Sequence, residues 1–226
     1  MKPLLAAAAG LAALAYPLLA HGAAALDSGS LALAAAALLL VLALLPALRR
    51  GAPLAWLALA AITTLLAWLF HRGQALLPLY AAPVLLNLLA ARLFGRSLRR
   101  GRTPLVERIA RLLHGAPLPP DVVRYTRRVT LGWTVLLLGL ALLNAVLALL
   151  ASPDGLLEAA GLVPPVAVPR SVWSLFANLI NYLVLALAFV GEFLWRRRRF
   201  PEHASGGLAA FVAGVARLGP GFWRAS

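Results

Sequence analysis

Between Asp27 and Arg49 the chain carries no charged residue, and the stretch between them, "SGSLALAAAALLLVLALLPAL", is almost entirely Leu and Ala. A helix built from it has no polar face to turn toward water. It is long enough to cross ~30 Å of hydrocarbon, where each backbone N–H and C=O has to be satisfied inside the helix. Comparable stretches recur along the chain and predict spans over residues 4–24, 31–48, 53–70, 76–94, 129–151 and 172–195. With 62% apolar and 12% charged residues, the chain reads as an all-α, polytopic transmembrane helical bundle, one membrane domain over residues 1–226. Pro17, Pro46, Pro78 and Pro83 fall inside these segments, where membrane helices tolerate them as kinks.

The basic residues set the expected orientation. With the N-terminus in the cytoplasm, Lys2, the pair Arg49 and Arg50, the arginines between Arg92 and Arg128, the run Arg196 to Arg199, Arg217 and Arg224 all face inward. Of 21 Lys and Arg residues, Arg72 and Arg170 alone are left outside. This predicts an N-in, C-in protein with a cytoplasmic loop over 95–128, an outer loop over 152–171 and a cytoplasmic tail over 196–226. The topology also accounts for a pI near 11.8, so the charge does not call for nucleic acid. Lys2, the apolar run after it and "AHGAAA" also have the layout of a signal peptide cleaved near Ala25. The weak basic start and a run long enough to span favour a retained first helix.

The cytoplasmic loop has an organisation of its own. Thr103 is placed to cap a helix beginning at Pro104, and "TPLVERIARLLHG" ends at Gly115, a suitable C-cap. Leu105, Ile109, Leu112 and Leu113 recur at helical spacing, with Glu107, Arg108 and Arg111 largely away from them, so the expectation is an amphipathic helix lying at the membrane interface. Glu107 and Arg111 are four apart and are expected to pair. Pro117, Pro119 and Pro120 break the helix, and Asp121 is placed to cap a short second one leading through Tyr125 into the fifth span. Tyr125 and Trp133 suit an interfacial aromatic belt.

Polar residues inside spans are costly unless they find a partner. Asn87, Asn144, Asn178, Asn181 and the pair Thr63 and Thr64 are read as interhelical hydrogen-bonding residues. Glu192 lies about one turn from "RRRR" and is read as one half of an ion pair. The chain has no cysteine, which excludes disulfides and thiolate metal sites. His21, His71, His114 and His203 have no metal-ligand spacing, and no phosphate-binding loop, dinucleotide fingerprint or nucleophile elbow occurs. No cofactor and no metal is expected. His114 and Asp121 stand seven apart, which does not match the H-x4-D spacing of glycerolipid acyltransferases.

Four stretches carry a resemblance: "LPLYAAPVLLN" (Leu77 to Asn87), "SLRRGRTPLVERIARLLHG", "LPPDVVRYTRRVTLGW" and "WSLFANLINYLVLALAFVGEFLWRRRRFPEH" (Trp173 to His203). In their order and in GR-x-PL-x-ER, LPP, YTRR-x-T-x-x-W and WS-x-F-x-N, the chain resembles small bacterial inner-membrane proteins encoded beside fatty-acid-synthase-like enzymes in aryl polyene (xanthomonadin-type) pigment clusters. The likeness runs over more than half of the 226 residues and includes Tyr16 and Pro17 of the first span. It implies a pathway and a bacterial inner-membrane location, without a catalytic residue. In carrier-based synthesis the chains travel on small acidic proteins, so Arg96, Arg99, Arg100, Arg102, Arg108 and Arg111 are expected to form a docking surface for acyl carrier protein. The expected role is a non-catalytic component that anchors the machinery or passes product into the phospholipid bilayer. The alternative is a membrane-bound acyl- or lipid-modifying enzyme using Glu107, His114, Asp121 and Tyr125 at the cytoplasmic interface.

Because the chain has no cysteine, single introduced cysteines report topology cleanly. With Arg100→Cys protected from a membrane-impermeant maleimide in intact cells and Ala160→Cys labelled, the N-in, C-in arrangement holds; the opposite pattern reverses it.

Overall fold

The computed structural model describes residues 2–114, 117–201 and 213–214, with the backbone alone at 2–10, 12–14 and 114. His203, Gly115 and the tail helix expected through Leu208, Phe211, Val212 and Val215 lie outside the described residues. The elements run α1 (Lys2–Ala25), α2 (Gly29–Leu48), α3 (Pro53–His71), α4 (Leu77–Ser97), α5 (Leu105–His114), α6 (Pro120–Leu150), β1 (Ala151–Ser152), α7 (Leu156–Ala159), β2 (Val168–Pro169) and α8 (Arg170–Leu175). A π-helical segment, Phe176–Ile180, then continues into α9 (Asn181–Arg199). The strands form one short parallel pair, Ala151 opposite Val168 and Ser152 opposite Pro169.

Among the described residues, five helical runs are long and apolar enough to cross a membrane: Gly29–Leu48, Pro53–His71, Leu77–Ser97, Pro120–Leu150 and Arg170–Arg199. The chain is therefore a helical membrane protein. The first of the six expected spans coincides with α1. The fifth differs most from expectation, because the turn "PPD" starts a single helix of 31 residues at Pro120. Pro120 occupies the first helical position, where its missing N–H is no loss, and Asp121 sits in the first turn rather than at a cap. The loop over 95–128 is shortened accordingly, and Tyr125, Arg127 and Arg128 belong to α6.

Two stripes along α6 explain how it sits. Thr126, Thr130, Leu137, Ala141, Asn144 and Ala148 are buried, whereas Leu131, Val135, Leu138 and Leu142 are exposed, each set at helical spacing. In α9 the exposed stripe is Leu183, Leu187, Val190 and Leu194. Large apolar side chains turned outward with polar and small ones turned inward invert the soluble pattern, as expected where the surrounding solvent is lipid.

The helices contribute to two compact units, Met1–Val84 with Leu142–Tyr182 and Leu85–Ala141 with Leu183–Ser226. In the first, alanines let backbones approach: Ala20, Ala23 and Ala24 of α1 and Ala32 and Ala35 of α2 are buried, with Leu79, Tyr80 and Trp173 filling the larger spaces. Helix ends in this unit turn on left-handed glycines. Gly51 (φ 68°) and Gly73 (φ 70°) follow α2 and α3, and the amides of Ala52 and Gln74 return to the carbonyls of Ala47 and Leu69, closing each last turn. In the second unit Ala91, Leu105, Leu118, Val122, Leu137 and Phe193 are the buried apolar residues around which Ser97, Glu107, Thr126 and Thr130 are also buried.

At Gly155 a Cβ would fall on the Ala151 backbone, 2.8 Å from its carbonyl carbon and closer still to its oxygen. Backbone cannot move aside as a side-chain tip can. Gly155→Ala is expected to disorder the loop after β1, read as a loss of protease resistance there; unchanged resistance would show that the loop adapts.

Candidate functional site

In the second unit the segment from Leu105 to His114 is helical as expected, but its start is held differently. The amide of Leu105 donates to Ser97 Oγ at 2.9 Å, and the amide of Val106 donates to Thr130 Oγ1 at 3.3 Å. These hydroxyls, at the end of α4 and within α6, take the place expected of Thr103. Each also donates into its own helix, Ser97 to the Phe94 carbonyl at 2.6 Å and Thr130 to the Thr126 carbonyl at 2.8 Å. Their protons are thus committed and their lone pairs face α5. The cap that a local residue supplies in most helices is supplied here by tertiary structure. Arg127 adds a further tie, its Nη2 donating to the Leu98 carbonyl at 3.2 Å.

Held this way, α5 turns apolar side chains inward. Leu105 is fully buried, while Leu112, expected on the same face, is 59% exposed. Glu107 is the larger correction. It was expected on the solvent side, yet it is buried, and Arg111 reaches it through Nε at 3.0 Å and Nη2 at 2.6 Å. Burial of a carboxylate is sustained here by a guanidinium one turn away whose outer part remains in water. The apolar face of α5 does not lie bare at an interface; Leu105, Val106, Ile109 and Ala110 form one wall of a cavity of about 500 Å³.

That volume falls in the range of pockets that enclose a small molecule or one chain. Its other walls come from α4 (Ala90, Phe94), α6 (Val122 to Leu137) and α9 (Leu185 to Arg196), closed by Leu118 and Phe200. Tyr125 and Trp133, read from the sequence as belt residues, both line it. Trp133 packs with Phe94, ring centroids 6.1 Å apart, and Tyr125 meets Phe200 edge-on at 5.2 Å. One corner is polar: Tyr125 Oη donates to Glu192 Oε1 at 3.4 Å, and Arg196 Nε lies 3.2 Å from the same oxygen.

The remaining expected site residues are placed as follows. Of Glu107, His114, Asp121 and Tyr125, Tyr125 alone among those described lines the cavity; Glu107 is engaged by Arg111, Asp121 is exposed, and the His114 side chain lies outside the described residues. Arg99, Arg100, Arg102 and Arg111 are exposed, and Arg96 and Arg108 are partly buried. Asn87 is buried in α4.

The first unit holds a separate polar group. Asn144 Nδ2 donates to Asn181 Oδ1 at 3.0 Å, linking α6 to α9. Asn178 was expected to bond across helices. Instead its Nδ2 donates within its own run to the carbonyl and Oγ of Ser174, at 3.2 and 3.3 Å. Ser174 Oγ in turn lies 3.0 Å from His21 Nδ1 of α1. The π-helical segment accompanies this arrangement, the Asn181 amide reaching the Phe176 carbonyl five residues back. Thr63 also departs from the interhelical reading: it is exposed and donates to the Leu59 and Ala60 carbonyls of its own helix. Sequence reading missed His21 and Ser174 as partners, since 153 positions separate them.

A second cavity, about 640 Å³, belongs to this unit and is lined by Asp27, Asp154, Glu158, Gln74 and Ser30 among others. Its carboxylates are already engaged. Arg170 Nη1 lies 2.8 Å from Asp27 and 3.4 Å from Asp154, and Glu158 accepts from Ser152 Oγ at 2.6 Å and the Asp154 amide at 2.7 Å. Asp27 (φ 50°) and Asp154 (φ 62°) both adopt the left-handed conformation that Asp tolerates better than most residues. No group of three His, Cys, Asp or Glu suited to a metal ion occurs among the described residues. Compared with protein-family models, curated proteins and solved structures, the chain matches none.

If the two hydroxyls hold α5, Ser97→Ala and Thr130→Val will each cost about 1 kcal/mol of local stability. Hydrogen exchange at the α5 amides should rise in both variants and not in Thr134→Val, whose hydroxyl donates to Thr130 of its own helix. Equal exchange in all three would remove the capping role.

Proposed function

We propose that the protein is a non-catalytic component of a bacterial inner membrane that takes an apolar chain into the cavity of its second unit and helps move it from carrier-based synthesis into the bilayer. The observation that supports this reading is the cavity itself: about 500 Å³, walled by aliphatic and aromatic side chains, with one polar corner at Tyr125, Glu192 and Arg196. Such a shape suits a long chain ending in a polar group. Its wall α5 belongs to the arginine-rich loop, which the positive-inside rule places in the cytoplasm. Arg99, Arg100 and Arg102 are exposed there, and a cluster of like charge raises encounter rates with an acidic partner. Acyl carrier protein is the partner we propose.

The resemblance in the sequence gives the pathway, aryl polyene pigment synthesis, and hence the cargo, a finished or nearly finished polyene. In this reading the chain is N-in and C-in, and the arginines both hold that topology and receive the carrier. The enzymatic alternative draws support from Tyr125 alone, since it is the one of the four residues considered for catalysis that lines the cavity with its side chain described.

The reading is tested in a pigment-producing host lacking the gene, with inner and outer membranes separated and the polyenes of each identified by mass spectrometry. Finished pigment should accumulate in the inner membrane. The wild-type protein should restore its distribution, whereas Ala110→Phe, which fills the cavity, and the triple variant Arg99→Gln, Arg100→Gln, Arg102→Gln should not, although both insert. Truncated or unmodified chains would instead assign the protein to synthesis and favour the enzymatic alternative, and a normal distribution without the gene would overturn both.

A further inference from the structure

We infer that the cavity of the second unit selects chains that end in a neutral hydrogen-bond donor, such as a hydroxyl, over chains that end in an anion. The inference rests on the chain-binding reading above and names the chemistry of the chain's end.

The first argument is charge balance. Among the side chains lining the cavity, the charged ones are Glu192 and Arg196, and they lie 3.2 Å apart. Both are largely withdrawn from solvent, their side chains 15% and 21% exposed, so the wall carries a pair whose charges cancel. An anionic head brought beside them would add a charge without a counter-ion in a site of low polarity, which is costly. A hydroxyl adds none. Arg199 lies nearby, its guanidinium 5.3 Å from the Phe200 ring centroid, but it is exposed and its charge is screened by water.

The second argument is the direction of the hydrogen bonds. Tyr125 Oη and Arg196 Nε both use Glu192 Oε1. A carboxylate has about four lone-pair sites over two oxygens, so among the described residues Oε2 still has acceptor sites open. The Tyr125 oxygen, its proton directed to Glu192, also retains a lone pair. The corner therefore offers acceptors, and a group with a proton to donate completes it. A sulfonate or an ionised carboxylate has no proton to give and would face Glu192 with like charge.

Two photoreactive probes test this, a diazirine-bearing long-chain alcohol and the sulfonate of the same chain, which stays ionised. The full-length protein is held in nanodiscs of uncharged lipid, and labelled residues are located by mass spectrometry. The alcohol should label cavity-lining residues such as Phe189 and Ile109 about tenfold more than the sulfonate, a ratio equivalent to ~1.4 kcal/mol. In Glu192→Gln the arginine loses its counter-charge, and the order should reverse. The double variant Glu192→Gln, Arg196→Gln is neutral again and should restore preference for the alcohol. Equal labelling, or stronger labelling by the sulfonate in the wild type, would overturn the head-group inference and leave chain binding standing. Absence of cavity labelling by either probe would overturn the chain-binding reading, and with it this inference.

Discussion

Hydrocarbon offers no hydrogen-bond partner to a backbone amide or carbonyl, and this constraint shapes each part of the molecule. It makes the long apolar runs helical, and it makes any helix end or irregularity depend on neighbours. The hydroxyls of Thr126, Thr130 and Thr134 answer it by donating back to carbonyls at Val123, Thr126 and Thr130, so that three polar residues ride along α6 without an unpaired proton. The start of α5 answers it by borrowing Ser97 and Thr130. Since those hydroxyls have fixed positions on α4 and α6, the cap also fixes where α5 sits, and the cavity follows from that placement.

Charge obeys the same logic. The buried carboxylate in α5 and the largely withdrawn one in α9 each have an arginine four residues later, Arg111 for Glu107 and Arg196 for Glu192. That spacing and direction is the favourable one on a helix, and it carries more weight where the acid is out of water. In the first unit Arg170 serves two acids at once, Asp27 and Asp154, joining the turn after α1 to the turn after β1. The pairings convert residues that would oppose membrane insertion into local ties.

Side-chain hydrogen bonds then distinguish one helix packing from another in a protein whose apolar surfaces are chemically alike. Interhelical pairs of this kind are worth ~0.6 to 2 kcal/mol each, too little to hold a bundle but enough to choose among registers. The Asn144 and Asn181 amides do this between α6 and α9, and the His21 and Ser174 pair does it between α1 and α8. Asn178 shows why an asparagine in a span is not always a bridge: with Ser174 one turn earlier, its own helix supplies two acceptors.

Much of the fold was legible in the sequence, because hydropathy, charge and proline placement are properties of the chain read along one dimension. The five spanning helices, the α5 segment, and the pairs Glu107 with Arg111 and Glu192 with Arg196 are all local: their partners lie within a turn or within one apolar run. What the tertiary structure alone decided is non-local. Thr103 and Thr130 are equally good capping residues, and only the placement of α6 against α5 gives the Val106 amide to Thr130. The amphipathic pattern of α5 is the same whether that face meets lipid or protein; its contact with α4, α6 and α9 makes it a cavity wall, turns Glu107 inward and leaves Leu112 outside. Tyr125 and Trp133 have the amphipathic character of belt residues, yet they line the cavity because an early helix start at Pro120 rotates both onto the inner face. The physical reason is common to all three: sequence specifies which groups need a partner, and packing specifies which partner is within reach.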